Sequence, residues 1–154
     1  MKKAISKTLC ILTLAIFVMS ISGAAATTVN VGKVVEVSQF GQINKALQKG
    51  PVFLKIGAKW CPHCKTFEPT LKGLAKEYAG KATFMSVDID KSPKLAGYFG
   101  ASTIPDCSVI VSIKNGKYVY MQQNGKTTTT RSQARIIGEK HNKSVYEKIL
   151  NIAI

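Results

Sequence analysis

The sequence is 154 residues long, 45% hydrophobic, with a formal net charge of +14. Such a length sets one domain of ordinary size. The lysines are scattered with no K/R-rich block, so the charge reads as a solvated basic surface and not as a nucleic-acid interface. Attraction to acidic partners or to a membrane face is the lesser reading.

The first element in chain order is an export signal. Lys2, Lys3 and Lys7 form a positive segment, Thr8 to Ile21 is mostly apolar, and Ala24-Ala25-Ala26 is an A-x-A cleavage pattern. The apolar run is shorter than the ~20 residues of a spanning helix, and an uncleaved N-terminal anchor is the alternative. This divides the chain into a signal peptide, 1–26, and a domain, 27–154, with about +11 of the charge on the domain. Export delivers the protein to a periplasmic or extracellular setting where disulfides persist. Cys10 leaves with the signal. Cys61, Cys64 and Cys107 remain, an odd number that leaves room for a working pair.

Val29 to Val37 is β-branched and reads as a strand. Ser38 is a good N-cap for a helix to Lys49, with Phe40, Ile43 and Leu47 at helical spacing and Gly50 closing it. Val52 to Ile56 is a second strand. A helix follows from the cysteines to about Tyr78, with an apolar stripe of Phe67, Leu71, Leu74 and Tyr78. Pro69 should kink it and Gly80 ends it. Ala82 to Ile89 alternates like a strand, and Ser92-Pro93 opens a short helix ending at Gly100. Cys107, Val109, Val111 and Ile113 alternate with polar residues, which predicts one buried strand face. Asn115-Gly116 and Asn124-Gly125 are hairpin signals, so three antiparallel strands run from Cys107 to about Arg131. Asn142 to Ile152 is an amphipathic helix through Val145, Ile149 and Ile152. The predicted order, βαβαβαβββα, makes an α/β domain with a mixed central sheet and helices on both faces.

The chemistry sits at Trp60-Cys61-Pro62-His63-Cys64-Lys65, where an apolar strand ends and a helix begins. A helix N-terminus offers unpaired N–H groups and a partial positive charge, which favour a thiolate. The second cysteine lies one turn on and can close a disulfide. A lone C-x-x-C is also half of a zinc site. Zinc needs four ligands, however, and neither a second C-x-x-C nor a His pair at ligand spacing exists; His63 is poorly placed and His141 is isolated. The favoured reading is a redox-active dithiol with no metal and no separate cofactor.

Several motifs in order give the chain a specific resemblance to the thioredoxin family over residues 29–152. Ala58-Lys59-Trp60-Cys61-Pro62-His63-Cys64-Lys65 resembles the family's A-x-W-C-x-x-C-K, and Pro69 falls at its helix kink. Val87-Asp88-Ile89-Asp90 with Ser92-Pro93 resembles its third strand and helix start. Thr103-Ile104-Pro105 resembles the pair whose proline is cis and faces the dithiol. Lys114-Asn115-Gly116, Ile137-Gly138 and the final helix also fit.

The chain departs from the family in three places. Lys55 stands where the family carries a buried acid, six residues before Cys61, and Ser86 stands where it carries the partnering lysine. The span from Pro105 to Asn115-Gly116 is longer than the family's, which predicts a bulge or shifted register near Pro105. The segment from Tyr118 to Arg135, with four consecutive threonines, reads as an added edge strand or loop, and a plain exposed loop without function is the simpler alternative.

The resemblance implies protein disulfide or dithiol substrates, a mixed-disulfide intermediate, and a monomer. Cys61 is the candidate nucleophile and the more exposed thiol; Cys64 is the buried resolving thiol. Pro62 and His63 tune the pair: Pro-His resembles disulfide-introducing periplasmic enzymes, and Gly-Pro is the reducing thioredoxin's. Lys55 is expected under the site with most of its length buried. Trp60 packs against substrate or lids the core. Ile104 and Pro105 offer backbone to an extended substrate. Cys107 points inward as a buried apolar cysteine, with a third redox thiol as the alternative. Asn142-Lys143-Ser144 matches a glycosylation acceptor, although a helix N-cap is the simpler role for Asn142. The expected function is a thiol–disulfide oxidoreductase of exported proteins, more oxidising than thioredoxin, with electron flow set by a membrane electron-transfer partner. Nucleic acid is not an expected partner. The competing function is a non-enzymatic carrier of a soft ion such as Cu(I), which the scattered Met85 and Met121 do little to support.

Overall fold

The computed structural model describes residues 32–138 and 142–154. The expected signal peptide, Cys10, the first residues of the expected N-terminal strand, and His141 lie outside them. Among the described residues no helix is long and apolar enough to cross a membrane.

The elements run β1 (Val34–Glu36), α1 (Phe40–Leu47), β2 (Val52–Gly57), α2 (Pro62–Glu77), β3 (Thr83–Asp88), α3 (Pro93–Tyr98), β4 (Asp106–Lys114), β5 (Lys117–Met121), β6 (Thr127–Thr128), a 3-10 turn (Arg131–Gln133), β7 (Ile136–Ile137) and α4 (Lys143–Ala153). They build one mixed sheet in the order β1-β3-β2-β4-β5-β6, with β7 alongside the start of β4. β1, β3 and β2 are mutually parallel, and β4 reverses direction against β2. The expected order is therefore right, with β7 added; two residues are too short for periodicity to reveal.

Period-two alternation divides the core between the two faces of the sheet. Val52, Leu54 and Ile56 of β2 join Ile43 of α1 and Leu95 of α3. Phe53 joins Phe67, Leu71 and Leu74 of α2 and Tyr146, Ile149 and Leu150 of α4. Lys55 and Gly57 share the parity of Phe53 and so belong to the α2 face. Every residue of β2 is buried, as suits a central strand covered on both sides.

Local expectations fail where burial overrides pattern. In β4, Asp106 and Ser108 are fully buried although they fall on the predicted polar face, and Ile113 is 43% exposed. The first half of β4 lies inside the sheet between β2 and β7, whereas its last residues extend into the β4–β5 hairpin. The register shift sits between Ile110 and Ser112, away from Pro105. β4 pairs without interruption with β2 up to Ile110, so the irregularity falls beyond the last β2 partner.

The N-cap of α1 is Gln39 and not Ser38. Gln42 Oε1 accepts the N–H groups of Ser38 and Gln39 at 2.9 and 3.0 Å, so a side chain of the first turn reaches back to the two backbone donors that precede it. Phe40 stays 39% exposed, and the buried face of α4 is Tyr146, Ile149 and Leu150, with Ile152 outside it. α2 is continuous through Pro69. The Asn115-Gly116 turn has positive φ at both residues, 51° and 72°, as a tight hairpin requires.

Candidate active site

β2 ends at Gly57, and three residues of turn carry the chain to Cys61 at the N-cap of α2. The Cys61 N–H donates to the Ala58 carbonyl at 3.4 Å, which closes that turn. Pro62 occupies the first helical position, where a missing N–H costs nothing. The Cys61 sulfur then serves as the cap: the Cys64 N–H donates to Cys61 Sγ at 3.2 Å. Cys61, Cys64 and Cys107 are all free thiols, so the site is in its dithiol form.

The two cysteines are equally buried, each 3% exposed. This corrects the expectation that Cys61 is the more open. The backbone on its far side accounts for it: Cys61 Sγ lies 3.8 Å from the Ile104 carbonyl oxygen, and Ile104 and Ile89 pack on the small cluster of Ala58, Cys61 and Cys64. The Ile104–Pro105 bond is cis. Sequence reasoning thus brought together residues from three separate stretches. His63 and Pro62 are exposed on the first turn of α2. Trp60 is 61% exposed and its indole N–H donates to Asp90 Oδ2 at 2.8 Å, so it is not a lid on the core.

Lys55 is only 8% exposed. It pairs with Ser86 on one side and Cys107 on the other. A Cβ on Gly57 would stand 2.8 Å from Lys55 Nζ and 2.7 Å from Cys64 Sγ, so the ammonium and the thiol converge over that glycine. No carboxylate lies within ion-pair distance of Lys55 among the described residues. A cleft of about 310 Å³ reaches Lys55 and Cys64 from solvent, with Glu36, Lys59, Ser86 and Asp88 on its walls. Burial pushes the Cys64 thiol up to about 11, helped by the hydrogen bond to Cys61 and opposed by the Lys55 charge. Cys107 is fully buried, and burial drives its thiol well above the usual range. It has no opening to solvent, which fits the apolar role.

Sequence reasoning missed Asp106, Arg131 and Arg135. Asp106 follows Pro105 and is completely buried. Arg131 pairs with it through both nitrogens, at 2.7 and 3.0 Å, and Arg135 reaches it at 2.8 Å. The signal was available: an acid inside an apolar strand needs a partner, and these are the chain's only two arginines against twenty lysines. The added segment is therefore anchored and not a plain exposed loop. Asn142 holds the N-cap position of α4 without a side-chain cap bond.

A family model described as Thioredoxin matches residues 31–137. The chain is 35% identical over 83 residues to thioredoxin M2 of Arabidopsis thaliana chloroplasts, covering 54% of this chain and 44% of that protein. It is 36% identical over 72 residues to thioredoxin of Haemophilus influenzae, covering 47% and 64%. The matched stretch thus spans less than two thirds of either relative's length. Thioredoxin F from spinach chloroplast (long form) superposes with a TM-score of 0.57 at 27% identity, over 79% of this chain and 88% of that one. The architecture is the thioredoxin-like fold.

Proposed function

This chain belongs to the thioredoxin family, and from that membership we propose that it is a protein thiol–disulfide oxidoreductase working through Cys61 and Cys64. The observation that carries the reading is the placement of Cys61 Sγ. It caps the start of α2, within 3.2 Å of the Cys64 N–H and 3.8 Å from the Ile104 carbonyl. A nucleophile is thereby set against backbone that an extended substrate can pair with.

In the reducing direction, the Cys61 thiolate attacks one sulfur of a substrate disulfide. A Cys61–substrate bond forms and the other substrate sulfur leaves as a thiolate. Cys64 then attacks Cys61 Sγ; the substrate departs as its second thiol and the Cys61–Cys64 disulfide remains. In the oxidising direction the same steps run backwards, and a substrate dithiol leaves with the disulfide. No cofactor beyond the cysteine pair takes part.

The finer reading is an exported monomer, periplasmic or extracellular, more oxidising than thioredoxin, and turned over by a membrane electron-transfer partner. The N-terminal signal pattern supports export. A stabilised thiolate stabilises the reduced form and makes the disulfide the stronger oxidant; the Lys55 charge works toward one at Cys64, although burial keeps that thiol at about 11 and protonated at neutral pH. Pro62 and His63 between the cysteines support the same direction. A Cu(I) carrier would have to rely on the two thiols, because no group of three or more His, Cys, Asp or Glu converges among the described residues.

Equilibration of the dithiol against glutathione tests the reading. We expect a potential clearly less negative than thioredoxin's ~−270 mV. A value at or below it refutes the oxidising assignment. Cys64→Ser should trap mixed disulfides with protein substrates and Cys61→Ser should not; the reverse pattern refutes the assignment of roles.

A further inference from the structure

The segment 131–138 lies against the loop that faces the dithiol. That loop runs from Phe99 at the end of α3 to Asp106 at the start of β4 and carries Ile104 and Pro105. Arg131 Nη1 donates to the Phe99 carbonyl at 2.7 Å and to Asp106 Oδ2 at 3.0 Å, so one nitrogen joins the two ends of the loop. Its Nη2 donates to Asp106 Oδ1 at 2.7 Å and its Nε to Ser108 Oγ at 3.3 Å. Its guanidinium lies 5.6 Å from the centre of the Phe99 ring. Arg135 donates to Ser102 Oγ at 3.4 Å, in the middle of the loop, and is ion-paired with Asp106 Oδ2 at 2.8 Å. The Gly138 N–H donates to the Pro105 carbonyl at 2.9 Å.

Composition sharpens the point. Twenty of the chain's 22 basic residues are lysines, and both arginines converge on one buried carboxylate. A lysine offers a point charge, whereas a guanidinium is a rigid fork that can hold a carboxylate and a carbonyl at once. Buried ion pairs are weak evidence for stability as such, because desolvation opposes their attraction. What the fork supplies here is geometry.

We propose that Arg131 and Arg135 are positioning residues for substrate: through Asp106, Phe99 and Ser102 they hold the 100–105 loop at the distance from Cys61 at which a protein substrate's backbone can dock. The added segment, which the resemblance left without a role, is the brace that sets this distance. The inference rests on the proposed oxidoreductase reading, since it assigns that loop to substrate.

The test uses the full chain with Arg131→Lys and Arg135→Gln, folding being checked by near-ultraviolet circular dichroism. Activity is read on insulin, whose disulfides lie in a protein, and on hydroxyethyl disulfide, which has no backbone to dock. We expect the KM for insulin to rise about tenfold in Arg131→Lys and about threefold in Arg135→Gln, because a displacement near 1 Å suffices for losses of that order. The kcat, the rate on hydroxyethyl disulfide and the glutathione equilibrium should stay within about twofold. Amide exchange in residues 100–104 should quicken while that in β2 and β3 does not. Arg135 is the less buried of the two, so Arg135→Gln decides the matter if Arg131→Lys fails to fold. Equal losses on both substrates, or an unchanged KM for insulin, overturn the proposal. A wild type inactive on insulin and on reduced test proteins sinks the oxidoreductase reading itself; unchanged exchange in the loop then overturns the brace as well.

Discussion

Lys55 Nζ and Cys64 Sγ meet over the α-carbon of Gly57, each within 3 Å of where a Cβ would be. A cation is thereby held beside the buried thiol in a family position usually given to an acid. Carboxylate and ammonium act oppositely on a neighbouring thiol: the first opposes its ionisation and the second favours it.

Lys55→Met should therefore move the ionisation of Cys64 further up, because the only cation drawing it down is lost. The alkaline limb of the resolving step should shift to higher pH. The potential near neutral pH should stay close to wild type, because Cys64 is protonated there with or without the lysine. Single-turnover release of a mixed disulfide, followed against pH, reads the first effect. An unchanged profile would make Lys55 a packing residue.

Gly57→Ala should lower stability by about 2 kcal/mol, through overpacking between β2 and α2. The lysine end can swing away, but Cys64 is fixed on the first turn of a helix. Urea denaturation measures the change. A midpoint equal to wild type would mean that the helix start yields to a methyl group.

Near neutral pH, Cys61 should be the first cysteine alkylated. Cys64, pushed up to about 11, is only about one part in a thousand thiolate at pH 8. Cys107 has neither ionisation nor access. Labelling of Cys64 in a Cys61→Ser variant should quicken about tenfold per pH unit until its ionisation is reached, since only the thiolate reacts. Peptide mapping of briefly treated protein decides it: early label on Cys64 or Cys107 contradicts the assignment.

Gly138→Ala should weaken both stability and turnover of protein substrates. A Cβ there would run into the Pro105 ring, and the Gly138 carbonyl also accepts from the Tyr146 hydroxyl, so the glycine cannot easily back away. Thermal unfolding and insulin turnover should fall together. Loss of neither would show slack in the 134–138 backbone.

What the sequence made legible follows the length of the pattern. The stripe Phe67, Leu71, Leu74 and Tyr78 repeats over three helical turns and reads directly as a buried face. Cys61, Pro62 and Cys64 could be assigned because the helix start and the chemistry coincide in one stretch. Lys55 was found through the family resemblance, at the position six residues before Cys61 that the family gives to an acid. The arginine brace was not, because its parts lie 25 and 29 residues apart in the chain and only tertiary folding brings them together. Alternation failed at Asp106 and Ser108 for a related reason: a strand covered on both faces has no solvent side for its polar residues to mark.

Trp60 has one more consequence. It is the only tryptophan in the chain, it adjoins Cys61, and its ring is mostly in solvent while its N–H is tied to Asp90. All indole emission from the protein therefore originates beside the dithiol. Oxidation of the pair, capture of a substrate at Cys61 and release of the Asp90 tie each change the surroundings of that one ring. The protein thus carries a built-in optical gauge of its own working site, and stopped-flow fluorescence can follow its turnover without any attached label.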